Sequence, residues 1–154
     1  MEVGEALLIL ASGFATEIGQ LNFHQKLYRF EQLTMLNTRS KSNAMHISLN
    51  FHQNDRLNAG TLQQIATEYM EKVGLGDQPY IVYQHLDTQH PHVHIATTLI
   101  QKNGQRINTE GIGRKLSEPA RIALEQKYEL TIAQGRRLKN EPYLRVAEYG
   151  LKST

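Results

Sequence analysis

Residues 80–101 read Tyr80-Ile81-Val82-Tyr83-Gln84-His85-Leu86-Asp87-Thr88-Gln89-His90-Pro91-His92-Val93-His94-Ile95-Ala96-Thr97-Thr98-Leu99-Ile100-Gln101. Two runs rich in β-branched and aromatic residues, Tyr80 to Leu86 and His92 to Gln101, stand on either side of a short polar link. Residues Leu86 to Pro91 can join them as a hairpin with a longer loop. A hairpin pairs its strands antiparallel. The predicted fold class is therefore α+β, a central antiparallel β-sheet flanked by helices, and not a parallel doubly wound sheet.

The flanking sequence supplies the other elements. Met45, Ile47, Leu49 and Phe51 alternate with His46, Ser48, Asn50 and His52, which predicts a strand with one oily and one polar face. Asn58 caps a helix whose apolar stripe is Leu62, Ile65, Ala66, Tyr69, Met70 and Val73, and Gly74 stops it. Asn22 to Asn37 predicts a helix with Phe23, Leu27, Phe30, Leu33 and Leu36 on its buried side. Residues 4–11 read as a short apolar strand or a buried lead-in. Downstream, Asn103-Gly104 signals a turn before a short strand at Arg106 to Asn108. Ser117 to Tyr128 reads as a helix capped by Ser117. The stretch Thr131 to Pro142 is polar and basic, and Tyr143 to Tyr149 reads as a last strand.

A chain of 154 residues suits one domain with a real core. No apolar run approaches the roughly 18 residues of a membrane span, and Ala6 to Ala11 lacks the basic leader of a signal peptide. Cysteine is absent, which excludes disulfides, thiolate metal sites and cysteine nucleophiles, and agrees with a cytoplasmic location. Net charge is +2, but Lys and Arg collect in the second half at Lys102, Arg106, Arg114, Lys115, Arg121, Arg136, Arg137 and Lys139. Charge alone fits a solvated basic surface better than a polyanionic partner, because many domains that bind no polyanion are this basic.

Four of the seven histidines fall between residues 85 and 94. On a strand, His92 and His94 point to the same face about 6.5–7 Å apart along the chain. If the hairpin closes across Leu86 to Pro91, His85 stands opposite His92 and Tyr83 opposite His94. Directly opposed side chains lie close enough to share one ion. His85, His92 and His94 thus form a candidate three-imidazole metal site, with positions left open for water or substrate. Asp87 is placed to orient a ligating imidazole from behind, or simply to make a turn. His46 lies on the polar face of its strand, and lines the same cleft if that strand neighbours the hairpin. Three imidazoles suit manganese, zinc, cobalt or nickel better than magnesium.

The pattern His85-x-Asp87-x-x-x-Pro91-His92-x-His94 resembles the third motif of relaxases in the plasmid mobilisation and VirD2-like group of HUH endonucleases. His46-Ile-Ser-Leu-Asn-Phe51, Gln78-Pro-Tyr-Ile-Val-Tyr-Gln-His85 and Ile112-Gly-Arg-x-x-Ser117-Glu118 are similar to mobilisation proteins of Bacteroides-type elements. The resemblance covers nearly the whole chain. It implies a divalent ion, Mn or Mg, held by His85, His92 and His94. It implies a tyrosine that attacks the scissile phosphate and stays joined to its 5′ side. The implied substrate is single-stranded DNA at a transfer origin, with accessory mobilisation proteins as further partners. Lys102, Arg106, Arg114 and Lys115 are the candidate DNA-binding residues.

One departure stands out. The family's tyrosine belongs to an N-terminal motif like Tyr-Asn-Glu, followed by a stretch like Val-x-x-Gly-Glu-Ala. This chain opens Met1-Glu2-Val3-Gly4-Glu5-Ala6. The expectation is a single relaxase domain over residues 1–154, lacking the first strand, the nucleophile and the C-terminal region. Such a piece binds DNA without nicking it. It is also expected to keep a gap or open edge in its sheet, and to form a homodimer there. Of the tyrosines, Tyr28, Tyr69 and Tyr128 read as packing residues. Tyr83 alone has a geometric case as a substitute nucleophile. The alternatives are a rolling-circle replication initiator or transposase of the HUH superfamily, or a metal- and DNA-binding module without chemistry.

Overall fold

The structure, a computed structural model, describes residues 6–14, 22–37, 39, 42–85, 91–131 and 145–152. The elements are β1 (Ala6–Ser12), α1 (Phe23–Thr34), β2 (Ser42–Asn50), α2 (Ala59–Lys72), β3 (Tyr80–His85), β4 (His92–Thr98), a π-helical turn (Gly113–Ser117), α3 (Glu118–Lys127) and β5 (Arg145–Lys152). The order strand, helix, strand, helix, hairpin, helix, strand agrees with the sequence reading. The sheet runs β1-β3-β4-β2-β5, and every neighbouring pair is antiparallel. Its described strands form one continuous sheet, with β1 and β5 at the two edges.

Alternation assigns the two faces. Val82 on β3, Val93 and Ile95 on β4, and Met45, Ile47 and Leu49 on β2 are buried in the core cluster. Against them pack Leu62, Ile65, Ala66, Tyr69 and Met70 of α2, with Ala120 and Leu124 of α3. Each fully buried Leu or Ile here contributes about 1.5–3 kcal/mol. The opposite face carries Ile81, Tyr83 and His85, then His92 and His94, then His46, Ser48 and Asn50. Helix α1 lies on this second face, since Lys26 bonds Tyr83.

Local chemistry sets the helix starts. Asn58 accepts from the Thr61 amide at 2.8 Å. Asn22 and Gln25 form a reciprocal capping box, both bonds at 2.9 Å. Gly74 takes φ +83° after α2, as its stop requires.

Four expectations are corrected. Arg106 makes a single bridge with Ile100 rather than opening a strand to Asn108. Ser117 caps nothing; it has helical φ and ψ and is buried, its hydroxyl 2.9 Å from that of Tyr69. The extra residue of the π-helical turn brings it inward. On α1 Leu27 is exposed, as is Leu36 in the turn that follows, while Leu33 and Lys26 are buried. Lys26 takes a buried place on this helix, where its Nζ meets the Tyr83 hydroxyl. Tyr28, read as a packing residue, is 63% exposed. No described helix is long and apolar enough to cross a membrane.

Candidate metal centre

The hairpin register places the histidines. Across β3 and β4, His85 pairs with His92 and Tyr83 with His94, as the loop length predicts. The rings of His85 and His92 stack with centroids 4.7 Å apart and planes 15° apart. The His94 ring meets His85 edge-on at 4.4 Å and His92 at 5.2 Å. One nitrogen from each of the three imidazoles lies within 4.8 Å of the others. Two nitrogens on one ion, each about 2.0–2.1 Å from it, sit about 3.4 Å apart in a tetrahedral site, so closing the set takes about 1.5 Å or less. All three rings are half-buried, which shields them from bulk water while leaving an approach.

His46 adds a fourth imidazole. Its Nε2 lies 2.9 Å from His94 Nδ1, and the two rings stack at 4.7 Å. This arrangement requires β2 beside β4, where the sheet puts it. Burial, helped by the neighbouring His46, His85 and His92, holds His94 down at about 4. Burial and then His85 lower His46 as well. Both rings are thus neutral at physiological pH, the form with a lone pair to give a metal. Along the same face, Ser48 stands opposite His94 and Asn50 opposite His92, with Asn50 Nδ2 donating to Ser48 Oγ at 3.3 Å.

A family model, that of MobA/VirD2-like relaxases in their nuclease domain, matches residues 8–130. The chain belongs to this family. No curated protein and no solved structure matches it. A relaxase nuclease domain is a DNA-nicking domain of mobilisation that works on single-stranded DNA, and the α+β sheet with its histidine centre is consistent with that. In this relaxase domain His46, His85, His92 and His94 stand on β2, β3 and β4, so the imidazole cluster rests on the middle of the sheet.

The other predicted site residues are scattered. Asp87 lies outside the described residues. Lys102 is exposed in the turn after β4, and Arg106 is half-buried beside it, donating to the Ile107 carbonyl at 3.1 Å. Strand β4 rises about 3.3 Å per residue, so even Thr98 is about 13 Å along from His94. Both cations therefore sit toward the end of the hairpin remote from His92. Arg114 and Lys115 are exposed on the π-helical turn, which packs with α2 and α3 on the other layer of this relaxase domain. A shallow cleft of about 240 Å³ there is lined by Lys72, Lys115, Leu116, Pro119 and Ala120. The sequence reading missed Lys26, whose Nζ donates to the Tyr83 hydroxyl at 2.7 Å beside the histidines. A lysine among apolar helix positions carries no signal until its partner on the sheet is known.

Proposed function

We propose that this relaxase domain binds single-stranded DNA at a transfer origin and presents one of its phosphates to a divalent ion held by His85, His92 and His94. The observation that carries the reading is the three-imidazole set on one sheet face of a MobA/VirD2-like nuclease domain. The donors fit such an ion: three imidazole nitrogens converge and leave further positions for water and a phosphate oxygen. Nitrogen donors favour manganese, zinc, cobalt or nickel over magnesium. When bound, the ion polarises the scissile phosphate as a Lewis acid.

The protein's own residues do the rest. His46 fixes the His94 ring through its Nδ1, which leaves the other ring nitrogen to point away from β2. Ser48 and Asn50 extend the polar strip on which the strand lies. Lys102, Arg106, Arg114 and Lys115 lie too far from the histidines to share one phosphate with them, and serve DNA flanking the nick. Asp87 orients a ligating imidazole.

Among tyrosines whose side chains are described, only Tyr83 shares the histidine face, and its hydroxyl is engaged by Lys26. Tyr69 and Tyr80 are buried in the core, Tyr128 faces Glu68, and Tyr28 points to solvent. The reading proposed for residues 1–154 is that they bind the strand without nicking it by themselves, since Tyr83 is the one tyrosine among those with described side chains that stands on the histidine face. The test incubates the protein with a labelled single-stranded origin oligonucleotide and Mn²⁺. Binding should appear in a gel shift and weaken steeply with salt. A covalent adduct mapped to Tyr83, or to Tyr149, which pairs in register with His46, would overturn the assignment of the nucleophile. Absence of any DNA binding would overturn the nuclease reading.

A further inference from the structure

Lys26 is 8% exposed, and it lies on α1 against the histidine face. Its Nζ donates to the Tyr83 hydroxyl at 2.7 Å and stands 5.3 Å from the Tyr83 ring centroid. Tyr83 in turn pairs in register with His94 and lies two residues from His85 on the same face. An ammonium has three donors, and one phenol oxygen takes one of them. Among the described residues no carboxylate pairs with Lys26. A cation withdrawn from water beside a neutral partner is costly, and a ring face offsets only part of the cost. Four imidazoles on the adjoining strands add no negative charge. The local field is one that an anion improves.

We propose that Lys26 and the Tyr83 hydroxyl together form a phosphate-binding position at the rim of the histidine centre. It takes the backbone phosphate next to the one presented to the metal ligands. The proposal rests on the nuclease reading above. The ammonium meets one non-bridging oxygen, and the phenol, now free to donate, meets the other. Two adjacent phosphates held on one face fix the register of the strand, so that one phosphodiester and not its neighbour faces His85, His92 and His94. Lys26 and Tyr83 are in this sense positioning residues.

Fluorescence anisotropy with a labelled single-stranded oligonucleotide, read from low to high NaCl, tests it. Each phosphate contact contributes about 0.7 to the slope of log affinity against log salt for single strands. Lys26→Met should lower that slope by about 0.7 and weaken low-salt binding several-fold. Lys26→Arg should keep the slope. Tyr83→Phe should weaken binding while leaving the slope unchanged. Calorimetric titration with Mn²⁺ should give wild-type affinity in Lys26→Met, separating the phosphate position from the metal centre. An unchanged slope in Lys26→Met, beside a wild type that does bind, overturns the phosphate position alone, and so does lost Mn²⁺ affinity. A wild type that binds no DNA overturns the nuclease reading along with it. Should Lys26→Met fail to fold by circular dichroism, Tyr83→Phe decides: wild-type affinity in that variant overturns the proposal.

Discussion

His46 reaches His94 on a diagonal: it pairs in register with Ala96, yet its Nε2 lies 2.9 Å from His94 Nδ1, on the residue two places back along β4. Diagonal neighbours on an antiparallel pair are within reach of long or aromatic side chains. The contact sets the ring plane of a proposed ligand from the adjacent strand. His46→Ala is therefore expected to weaken Mn²⁺ binding about 10–100-fold, the usual loss when a ligand's supporting partner is removed. His46→Gln, which keeps a hydrogen-bonding group, should recover part of it. Calorimetry on both variants checks the pair, and equal affinities in His46→Ala and wild type would contradict it.

Loss of the ligands themselves should be more severe. Replacing both His92 and His94 by Ala removes two of three proposed donors, and Mn²⁺ binding should disappear from calorimetric detection. His24→Ala, on the exposed side of α1, should leave it unchanged. The melting temperature of the double variant without metal should stay near wild type, since the rings are half-buried and not part of the core.

Two glycines with nearly equal φ should differ in their tolerance of a methyl group. Gly13 has φ +82°, and a Cβ there would meet Pro79 Cα at 2.9 Å. Gly74 has φ +83° with nothing within 4 Å. Gly74→Ala pays only left-handed strain of about 1–2 kcal/mol. Gly13→Ala adds a backbone collision that no rotamer change relieves, and should cost clearly more. Urea midpoints of the two variants measure the difference.

The contact between Glu68 and Tyr128 gives stability a pH signature. The Tyr128 hydroxyl donates to Glu68. That bond, with Lys127 nearby, lowers Glu68 despite an opposing contribution from burial. Burial and then Glu68 push Tyr128 up to about 12. Glu68 is depressed in the folded state, so its contribution is present above the ordinary carboxylate range and lost as pH falls through the lowered value. Tyr128 is raised, so its contribution is complete below about 10 and is lost between about 10 and about 12, where the unfolded chain ionises first. Tyr128→Phe lacks the second loss. The stability gap between wild type and Tyr128→Phe should shrink across that alkaline window. Denaturation at several pH values reads it.

Much of the centre was legible in the sequence. The spacing of His92 and His94 and the length from Leu86 to Pro91 set both face and register, because a one-residue slip would send every apolar side chain of the hairpin to the wrong side. His46 was legible only in part: its strand's polar face was plain, but its use depends on β2 lying beside β4, which no local pattern states. Lys26 was not legible. The apolar positions of α1 support two helical phases, and a hydroxyl 57 residues away decides between them. Ser117 shows the same limit. It sits where a cap is expected, while a buried partner 48 residues back, Tyr69, draws it inward through a π-helical turn. Local rules describe what a residue can do alone, and these side chains are placed by distant partners.

The strand order has one more consequence. β4 is paired on both sides, by β3 and β2, and β3 by β1 and β4. The backbone beneath His85, His92 and His94 is thus fixed by hydrogen-bond ladders before any ion arrives. The entropy of assembling the three proposed ligands is lost when the chain folds, so the proposed centre is preorganised. A chelator should strip such a site without unfolding the protein, unlike a zinc finger, whose fold depends on its metal. The ion should then raise the melting temperature by mass action alone, equivalent to about 2.7 kcal/mol at a hundredfold excess over Kd.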